Sequence, residues 1–299
     1  MKNLFLHFRS GISLGLMLTN TVFWCTPLFI IAILKFIIPI PVWRKFCTRI
    51  LVFLAESFID VNSWVLKYIS RAKFDIQING EYDPKGSYLV VSNHQSYADI
   101  IILQHVLNHK IPFLKFFLKQ QLIWIPVFGL AWWALDFPFM KRYSREFLRK
   151  HPEKAGSDFK ETQKACEKFK DLPVSIMNFA EGTRFSLEKK QRQDSPFENL
   201  LKPKAGGIGY VISLMGEQIK RLVNVTIIYP GNNNTLWDFL GGRYKEIVVQ
   251  IEIMELPDEV SGDYLKSSKN RVSLQRWLNH IWESKDQQIN SRQDNSGAN

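Results

Sequence analysis

Short apolar segments recur along the chain from residue 74 onward, with polar stretches between them. They span residues 74–78, 87–92, 173–179, 222–229 and 246–254. Three intervening or following stretches show the three-to-four-residue spacing of a helix, namely 96–109, the set Phe159, Thr162, Cys166 and Phe169, and the set Val272, Leu274, Trp277, Leu278 and Ile281. Strands that alternate with helices predict an α/β fold with a mixed, largely parallel sheet flanked by helices.

An apolar stretch dominates the N-terminal end. From Ile12 to Ile40 only Asn20 and Lys35 interrupt it notably. One helix of that length would measure about 43 Å, whereas the hydrocarbon core of a bilayer is ~30 Å thick. The excess predicts a tilted span with an extension, or a helical hairpin broken near Pro27. The stretch is too long for a cleaved signal peptide, so we expect a retained membrane anchor. Basic residues on both flanks favour a re-entrant hairpin whose ends both lie on the cytoplasmic face.

Two further apolar stretches belong to this organisation. Residues 50–70 have the pattern of an amphipathic helix on the membrane interface. Residues 122–140 are apolar but contain Pro126, Gly129 and Asp136, which favours the wall of an apolar groove or a membrane-facing surface and leaves a second span open. The expected organisation is a membrane anchor and interfacial helix over 1–70, an α/β domain over 71–284, and a disordered polar tail over 285–299.

Composition narrows the class of protein. The chain has 299 residues, is 46% hydrophobic and carries a formal charge of +11. These values exclude a disordered protein and predict an anionic partner, which is nucleic acid, lipid head groups or a phosphorylated substrate. Three cysteines without a CxxC spacing argue against a disulfide framework and a zinc site, and indicate a reduced compartment. His105 and His109 lie four apart without an evident third ligand, so we expect no metal site.

The first chemical candidate is the sequence VVSNHQSYAD at 90–99, where polar residues follow an apolar segment. Ser96 and Asp99 have the spacing of a helix capping box, which by itself would leave His94 as a loop residue. The same backbone also brings His94, in the turn before the helix, next to Asp99 in its first turn. Asp99 would then hold one ring nitrogen of His94 and leave the other nitrogen basic. Open α/β folds place their active sites at such strand ends.

The second candidate is FAEGTRF at 179–185, which also follows an apolar segment directly. Gly182 permits a tight turn, and Arg184 presents a planar fork that suits phosphate. Glu181 would orient Arg184 or accept a substrate hydroxyl, although a plain turn with a surface arginine is an equal alternative for this piece alone. Further cations lie in FMKRYSRE at 139–146 and in LKPKAGGIG at 201–209. Basic residues that repeatedly follow strands predict an anion pocket at the edge of the sheet.

These motifs together resemble those of a known family. SNHQSYAD has the N-H-x4-D form and FAEGTRF carries E-G-T-R, as in the glycerolipid acyltransferases that make phosphatidate from lysophosphatidate. FPFMKR is similar to the F-x-x-R block of that family and places Phe139 and Arg142. The fourth block is a weaker match, because Pro230 ends VTIIYP instead of lying inside a strand. The sequence around these blocks is more similar to the lysocardiolipin acyltransferase-like branch of the family, which leaves the head group of the acceptor open.

The resemblance implies transfer of a fatty acyl group from acyl-CoA or acyl carrier protein to the free hydroxyl of a lysophospholipid such as lysophosphatidate. It implies His94 as the general base and Asp99 as its partner, with neither metal nor cofactor nor nucleic acid. The expected location is the cytoplasmic face of a bacterial inner membrane. The implied substrate-binding residues are Asn93, Phe139, Arg142, Glu181, Gly182, Thr183, Arg184 and Lys204. The alternative is a non-catalytic membrane lipid-binding or scaffold protein that retains the fold.

Overall fold

A computed structural model describes most of the chain. The described residues are 2–140, 149–150, 163–164, 166–167, 169, 172–231, 234–244, 246–260, 262, 264 and 267–297. Arg142 and most of the helix predicted around Phe159 and Thr162 lie outside the described residues. The strands are β1 Phe74–Asn79, β2 Tyr88–Ser92, β3 Leu114–Phe116, β4 Leu118–Lys119, β5 Phe139–Met140, β6 Ser175–Phe179, β7 Arg221–Ile228 and β8 Ile247–Glu255.

The helices, numbered among the described residues, surround these strands. They are α1 Lys2–Ile37, α2 Pro41–Trp64, α3 Ala98–Leu107, α4 Phe128–Ala134, α5 Leu187–Gln193, α6 Gly206–Met215, α7 Leu236–Leu240 and α8 Ser268–Gly297. A π-helical segment, Val65–Ser70, extends α2, and two 3₁₀ turns span Gln120–Trp124 and Asp258–Val260.

Six strands form the main sheet in the order β1-β8-β7-β2-β6-β3. Strands β7, β2, β6 and β3 are parallel neighbours, while β8 runs antiparallel to β7 and parallel to β1. The predicted mixed, largely parallel sheet is therefore confirmed. Strands β4 and β5 form a separate parallel pair.

The central strand β2 is buried on both faces, which its apolar sequence predicts for a parallel sheet covered by helices. Its side chains alternate between two apolar clusters. Val90 faces the cluster that includes Leu51 and Ile102 from α2 and α3. Leu89 and Val91 face the cluster that receives α6 and α8, represented by Ile208, Leu278 and Trp282. The carboxyl end of β2 is thus fixed from both sides, and the candidate site begins there.

The N-terminal stretch folds as a helical hairpin, but its break lies at residues 38–40 and not near Pro27. Helix α1 continues through Pro27. Helix α2 begins at Pro41, where a proline is favoured because the first N–H groups of a helix lack intrahelical partners. The two helices are joined by the Asn20 side chain, whose Nδ2 donates to Asn62 Oδ1 at 2.9 Å and to Phe58 O at 2.9 Å.

Residues 50–70 are helical, in agreement with their pattern. They are the continuation of α2 and its π-helical extension, and the apolar side of that helix is buried against the rest of the protein, with Leu51, Leu54, Ala55 and Ile59 enclosed. Glu56 and Asp60 lie near the loop after α3, where His109 Nε2 is 3.0 Å from Asp60 Oδ2.

Helix α1 lies along the domain and contacts it near both ends. Ser10 Oγ donates to Trp237 O at 2.8 Å, and Lys35 Nζ pairs with Asp136 Oδ2 at 2.6 Å. Within α1, the stretch Asn3–Ile37 is long and apolar enough to cross a membrane. The side that faces away from the domain carries exposed apolar residues along its whole length, namely Leu4, Phe8, Ile12, Leu16, Phe23, Ile30, Ile33 and Ile37.

The second apolar stretch, residues 122–140, contains no spanning helix. It forms the end of a 3₁₀ turn, the seven-residue helix α4 and strand β5. Trp124, Leu130 and Trp133 are exposed, whereas Ala131 and Leu135 are buried. The segment therefore combines an outward apolar surface with an inward wall, the two roles that its sequence had suggested.

The C-terminal residues differ from the expected disordered tail. Helix α8 continues to Gly297, and Lys285, Asp286 and Ile289 are buried. Ile289 follows Trp282 and Lys285 at helical spacing, so one side of α8 packs against the protein while the other stays polar. High polarity alone therefore gave the wrong expectation at 285–297.

Candidate active site

The N-H-x4-D turn and the E-G-T-R turn meet because β2 and β6 are adjacent parallel strands. Their carboxyl ends lie at the same edge of the sheet. Two hydrogen bonds join the turns directly: the Phe185 N–H donates to His94 O at 2.7 Å, and the His94 N–H donates to Glu181 Oε1 at 3.0 Å. The two motifs that the sequence singled out therefore form one site.

His94 and Asp99 are in direct contact, with His94 Nδ1 2.9 Å from Asp99 Oδ2. The carboxylate accepts three more hydrogen bonds, from the N–H groups of Gln95 at 2.7 Å and Ser96 at 2.9 Å and from Tyr229 Oη at 2.5 Å. Asp99 is fully buried, and these donors compensate its negative charge. Asp99 thus closes the start of α3, as a capping box would, and also holds the imidazole.

The hydrogen bond to Asp99 sets the tautomer of His94. Since an ionised carboxylate only accepts, Nδ1 carries the proton and Nε2 keeps its lone pair. The ring also stacks on Phe179, with centroids 3.9 Å apart and planes 14° from parallel. The side chain is 13% exposed, and no described residue hydrogen-bonds Nε2. The result is a fixed imidazole with a basic nitrogen available to a ligand.

Tyr229 follows Ile228, the last residue of β7, and its hydroxyl donates a hydrogen bond to Asp99 Oδ1. Burial raises the pKa of Tyr229 well above its usual range, and the neighbouring Asp99 charge adds to this. The phenol therefore stays protonated and donates. The sequence offered Tyr229 only within the weakly matching VTIIYP segment, and the role was missed because the two residues lie 130 positions apart.

Glu181 and Asn93 occupy places different from those expected of substrate-binding residues, because neither side chain has exposed surface. Glu181 accepts from the His94 N–H through Oε1 and from the Leu201 N–H, at 3.1 Å, through Oε2. Asn93 bonds both the N–H of Ile227 at 2.9 Å and its carbonyl at 2.8 Å. Both side chains hold the backbone around His94, and Glu181 does not orient Arg184.

The rest of the E-G-T-R turn is partly exposed. Gly182 has φ +73°, a conformation that glycine adopts without strain. The guanidinium of Arg184 stacks over the Tyr97 ring at 3.5 Å from its centroid. Lys189, on α5, donates to Thr183 Oγ1 at 3.0 Å and to Arg184 O at 2.8 Å. Lys189 adds a second cation beside Arg184, and its position on a short polar helix gave no signal in the sequence.

The other implied substrate-binding residues lie at different distances from this centre. Phe139 is half-buried in β5, where it pairs with Leu118. Arg142 lies outside the described residues. Lys204 is exposed, and its N–H donates to Ala180 O at 2.8 Å, so its backbone adjoins the E-G-T-R turn. Lys119 of β4 pairs with Met140, which places an exposed lysine on the strand beside the F-x-x-R block.

Among the cavities lined by described residues, two are relevant to the site. One of about 260 Å³ lies between α1, α2, α3 and α4 and is almost wholly apolar, with Ile100 and Ile101 of α3 in its wall. These two residues follow Asp99 in the sequence, and no residue of the His94 turn itself lines the cavity. The larger one, of about 570 Å³, lies at the amino ends of β3 and β6. Neither cavity has a described lining residue from the His94 turn or the E-G-T-R turn, so the assignment of the candidate site rests on the two turns themselves.

The two histidines considered for a metal have separate partners. His105 packs against the Phe74 ring with centroids 5.1 Å apart, while His109 contacts Asp60. Burial and the Lys110 charge lower the pKa of His105, which keeps it neutral. Within the described residues, no cluster of His, Cys, Asp and Glu side chains has the arrangement of a metal site.

The fold and this site define an α/β protein with a hydrogen-bonded histidine–aspartate pair and cationic side chains at the carboxyl edge of its sheet. The acyltransferase family model matches residues 75–229, which is more than half of the chain and includes both motifs. The chain therefore belongs to the acyltransferase family.

Individual relatives are distant. The chain is 24% identical over 246 residues to a 2-acyl-1-lysophosphatidylinositol acyltransferase of Saccharomyces cerevisiae, covering 68% of this chain and 60% of that protein. It is 27% identical over 120 residues to 1-acyl-sn-glycerol-3-phosphate acyltransferase alpha of Ovis aries, covering 40% of this chain and 37% of that protein. The chain thus spans less than two thirds of either relative.

A solved structure shares the fold. The 1-acyl-sn-glycerophosphate acyltransferase PlsC from Thermotoga maritima superposes with a TM-score of 0.52 at 17% sequence identity, covering 95% of this chain and 97% of that chain. This likeness shows that the two proteins share a fold. A proposal for the reaction has to rest on the residues of the site.

Proposed function

We propose that the protein is a membrane-bound O-acyltransferase that moves a fatty acyl group from a thioester donor, acyl-CoA or acyl carrier protein, to the free hydroxyl of a lysophospholipid. The observation that carries the proposal is the state of His94. Its Nδ1 is held by a buried carboxylate, its ring is stacked on Phe179, and no described residue hydrogen-bonds its Nε2. Among the described residues, no Ser, Thr or Cys side chain is hydrogen-bonded to that nitrogen as a nucleophile would be.

The geometry supports direct transfer. Nε2 of His94 takes the proton of the acceptor hydroxyl, and the oxygen attacks the thioester carbonyl carbon. When the C–S bond breaks, the thiolate sulfur leaves and takes the proton back from the imidazolium. The products are the acyl ester and a free thiol, and the base returns to its initial state. Asp99 stabilises the imidazolium that exists between the two proton transfers.

Cationic groups beside His94 suit a phosphorylated acceptor. Arg184 presents a planar guanidinium whose orientation is set by the stack on Tyr97, and Lys189 lies under the same turn. Thr183 and Gly182 belong to this partly exposed turn, and the proposal assigns them to the acceptor side together with Phe139, Arg142 and Lys204. Glu181 and Asn93 support the base instead.

The apolar cavity suits a fatty acyl chain. Its wall is formed by side chains of α1, α3 and α4, and the helix α3 that contributes Ile100 and Ile101 begins directly after the His94 turn. An acyl chain that entered this cavity would be removed from water, which is favourable for an apolar chain. The short segment at 122–140 contributes Phe128 and Trp132 to the same wall.

The exposed side of α1 suits the membrane. Because α1 contacts the domain near both of its ends, through Ser10 and Lys35, a perpendicular crossing would carry part of the domain into the bilayer. Helix α1 therefore lies in one leaflet with its apolar side in the lipid. The exposed Trp124 and Trp133 add to this surface. The proposal places the protein on the cytoplasmic face of a bacterial inner membrane.

The test uses purified full-length protein in lipid–detergent micelles. Labelled lysophosphatidate and lysophosphatidylinositol are offered separately with acyl-CoA and with acyl carrier protein, and both thiol release and acylated lipid are measured. We expect transfer to at least one acceptor and its loss in His94→Ala, with an unchanged thermal midpoint. A folded wild-type protein that transfers to no acceptor from either donor would favour the non-catalytic scaffold and refute the proposal.

A further inference from the structure

The C-terminal part of α8 buries two charged residues that the proposed chemistry does not use. Lys285 is fully buried and Asp286 is 9% exposed, although both lie where the sequence is most polar. A charge is removed from water only at a large cost, so a buried lysine and a neighbouring buried aspartate need partners. The hydrogen-bond partners of Lys285 and Asp286 connect both residues to the His94 turn.

The first route starts at Asp286. Its carboxylate accepts from the N–H of Glu198 at 2.6 Å and from the N–H of Asn199 at 2.7 Å, which fixes the start of the segment 198–201. The N–H of Leu201 at the end of that segment donates to Glu181 at 3.1 Å. Glu181 in turn accepts the N–H of His94 at 3.0 Å.

The second route starts at Lys285 and runs through β7. Lys285 Nζ donates to Val225 O at 2.6 Å and to Thr226 Oγ1 at 3.2 Å. The next residue of β7, Ile227, is bonded through both its N–H and its carbonyl to the side chain of Asn93. Asn93 immediately precedes His94, so the two routes end at neighbouring residues, one at the Asn93 side chain and the other at the His94 N–H.

We infer that Lys285 and Asp286 are positioning residues for His94, which α8 holds in place through Glu181 on one side and Asn93 on the other. The inference rests on the proposed function, in which His94 is the base. A base acts only within a narrow range of distance to its proton, and misplacement by about 1 Å costs on the order of 10²-fold in rate. Neither residue touches substrate, so their loss affects turnover more than substrate binding.

The electrostatics of the pair agree with this geometry. Burial raises the pKa of Glu181 to about 8 and lowers that of Lys285 to about 7. The charge of each acts against the effect of burial on the other, because an anion and a cation in one buried region stabilise each other. The Lys285 charge thus favours the ionised form of Glu181, whereas burial, which is the larger effect, favours its neutral form.

The test compares Lys285→Met and Asp286→Asn with two controls on the exposed side of the same helix, Lys269→Met and Glu283→Gln. Each control removes the same kind of charge from a site without these contacts. At a temperature well below the thermal midpoint of every variant, we expect kcat to fall about tenfold or more in both test variants. We expect KM for donor and acceptor to stay within about threefold, and both controls to match the wild type.

A double substitution separates positioning from general stabilisation. If Asp286 acts through Glu181, adding Asp286→Asn to Glu181→Gln lowers kcat by less than about threefold further, because the route is already broken. If Asp286 only docks the helix, the two effects multiply, and the inference is overturned. Should Lys285→Met fail to fold, Asp286→Asn decides the outcome.

Hydrogen exchange gives a readout that does not depend on activity. The amide of His94 is protected by its bond to Glu181, so peptides that contain residues 90–97 should exchange faster in both test variants and not in the controls. Suppose that the test variants exchange faster but the wild type transfers no acyl group. That result would support the positioning role of Lys285 and Asp286 and refute the proposed function. Unchanged exchange in the test variants, or a kcat of those variants within twofold of that of an active wild type, would refute the positioning role of Lys285 and Asp286 alone.

Discussion

Replacing Asp99 with asparagine isolates the charge of this residue from its hydrogen bonds. Asp99 Oδ2 accepts three bonds, from His94 Nδ1 and from the N–H groups of Gln95 and Ser96. The amide oxygen of asparagine can take that position, and its NH₂ group then faces Tyr229 Oη, which is able to accept. The tautomer of His94 is retained, whereas the negative charge beside the imidazole is lost.

The expected size of the effect follows from Coulomb's law. Two unit charges about 4 Å apart interact by about 4 kcal/mol at the effective dielectric constant of about 20 that describes protein sites. Asp99 is fully buried and His94 nearly so, so solvent screens the pair little. Since each 1.36 kcal/mol is a factor of ten in rate, loss of the charge lowers kcat by on the order of 10²- to 10³-fold.

Alanine at the same position is the matched comparison. It leaves two backbone N–H groups and the Tyr229 hydroxyl without their acceptor, and an unsatisfied buried polar group costs about 1–3 kcal/mol. We therefore expect Asp99→Ala to lower the free energy of unfolding by about 3 kcal/mol or more, and Asp99→Asn by about 1 kcal/mol.

The measurements are kcat from thiol release with acyl-CoA and lysophospholipid, and the thermal midpoint of the same preparations. Two results would refute the reasoning. If Asp99→Asn stays within tenfold of the wild-type kcat, the carboxylate charge does not stabilise the imidazolium. If it is destabilised as much as Asp99→Ala, the asparagine does not satisfy the donors as the geometry requires.

Three further predictions follow from neighbouring side chains. Tyr229→Phe removes one hydrogen bond to the Asp99 carboxylate, a contact worth about 1.5–3 kcal/mol, so we expect kcat to fall about tenfold in the thiol-release assay; an unchanged kcat would contradict this. Burial raises the pKa of Glu181 from 4.5 to about 8, so its contribution to stability is present below pH 4.5 and is lost as the pH rises toward 8. Glu181→Gln should therefore flatten the fall in thermal midpoint between about pH 5 and 7, and an unchanged slope would contradict it. Tyr97→Leu removes a cation–π stack with Arg184 that is worth about 0.5–2 kcal/mol. We therefore expect KM for a phosphorylated acceptor to rise up to about tenfold, with kcat little changed. An equal rise in KM for an uncharged acceptor would argue against a role of Arg184 in binding phosphate.

The fold and the central pair were predictable because their signals are local. Each strand of the main sheet longer than three residues is one apolar segment. His94 and Asp99 are five positions apart, so strand–turn–helix geometry alone brings them together. Even the structural interpretation of Asp99, as a capping residue, required the same backbone.

The supporting contacts were not predictable, because each joins distant positions. Glu181 lies 87 positions from the His94 N–H that it accepts, and nothing in E-G-T-R indicates that its carboxylate turns inward. The polar composition of residues 285–299 predicts a disordered tail when the helical spacing of Trp282, Lys285 and Ile289 is ignored. A single buried lysine in a polar stretch leaves no periodic signal strong enough to place it.

Burial divides the motif residues into a buried group around His94 and a partly exposed group that includes Arg184. A general base is effective only when its ring is already oriented, because ordering it during the reaction would cost entropy. Asp99, Asn93 and Glu181 have no exposed surface, and their hydrogen bonds hold the backbone or ring of His94. Arg184 remains partly exposed, with its guanidinium oriented by stacking on Tyr97. On the proposed function, the glutamate and the arginine of E-G-T-R therefore have different roles although they are three residues apart. Loss of the glutamate is expected to lower kcat because it holds the base, and loss of the arginine is expected to raise KM because it receives the acceptor.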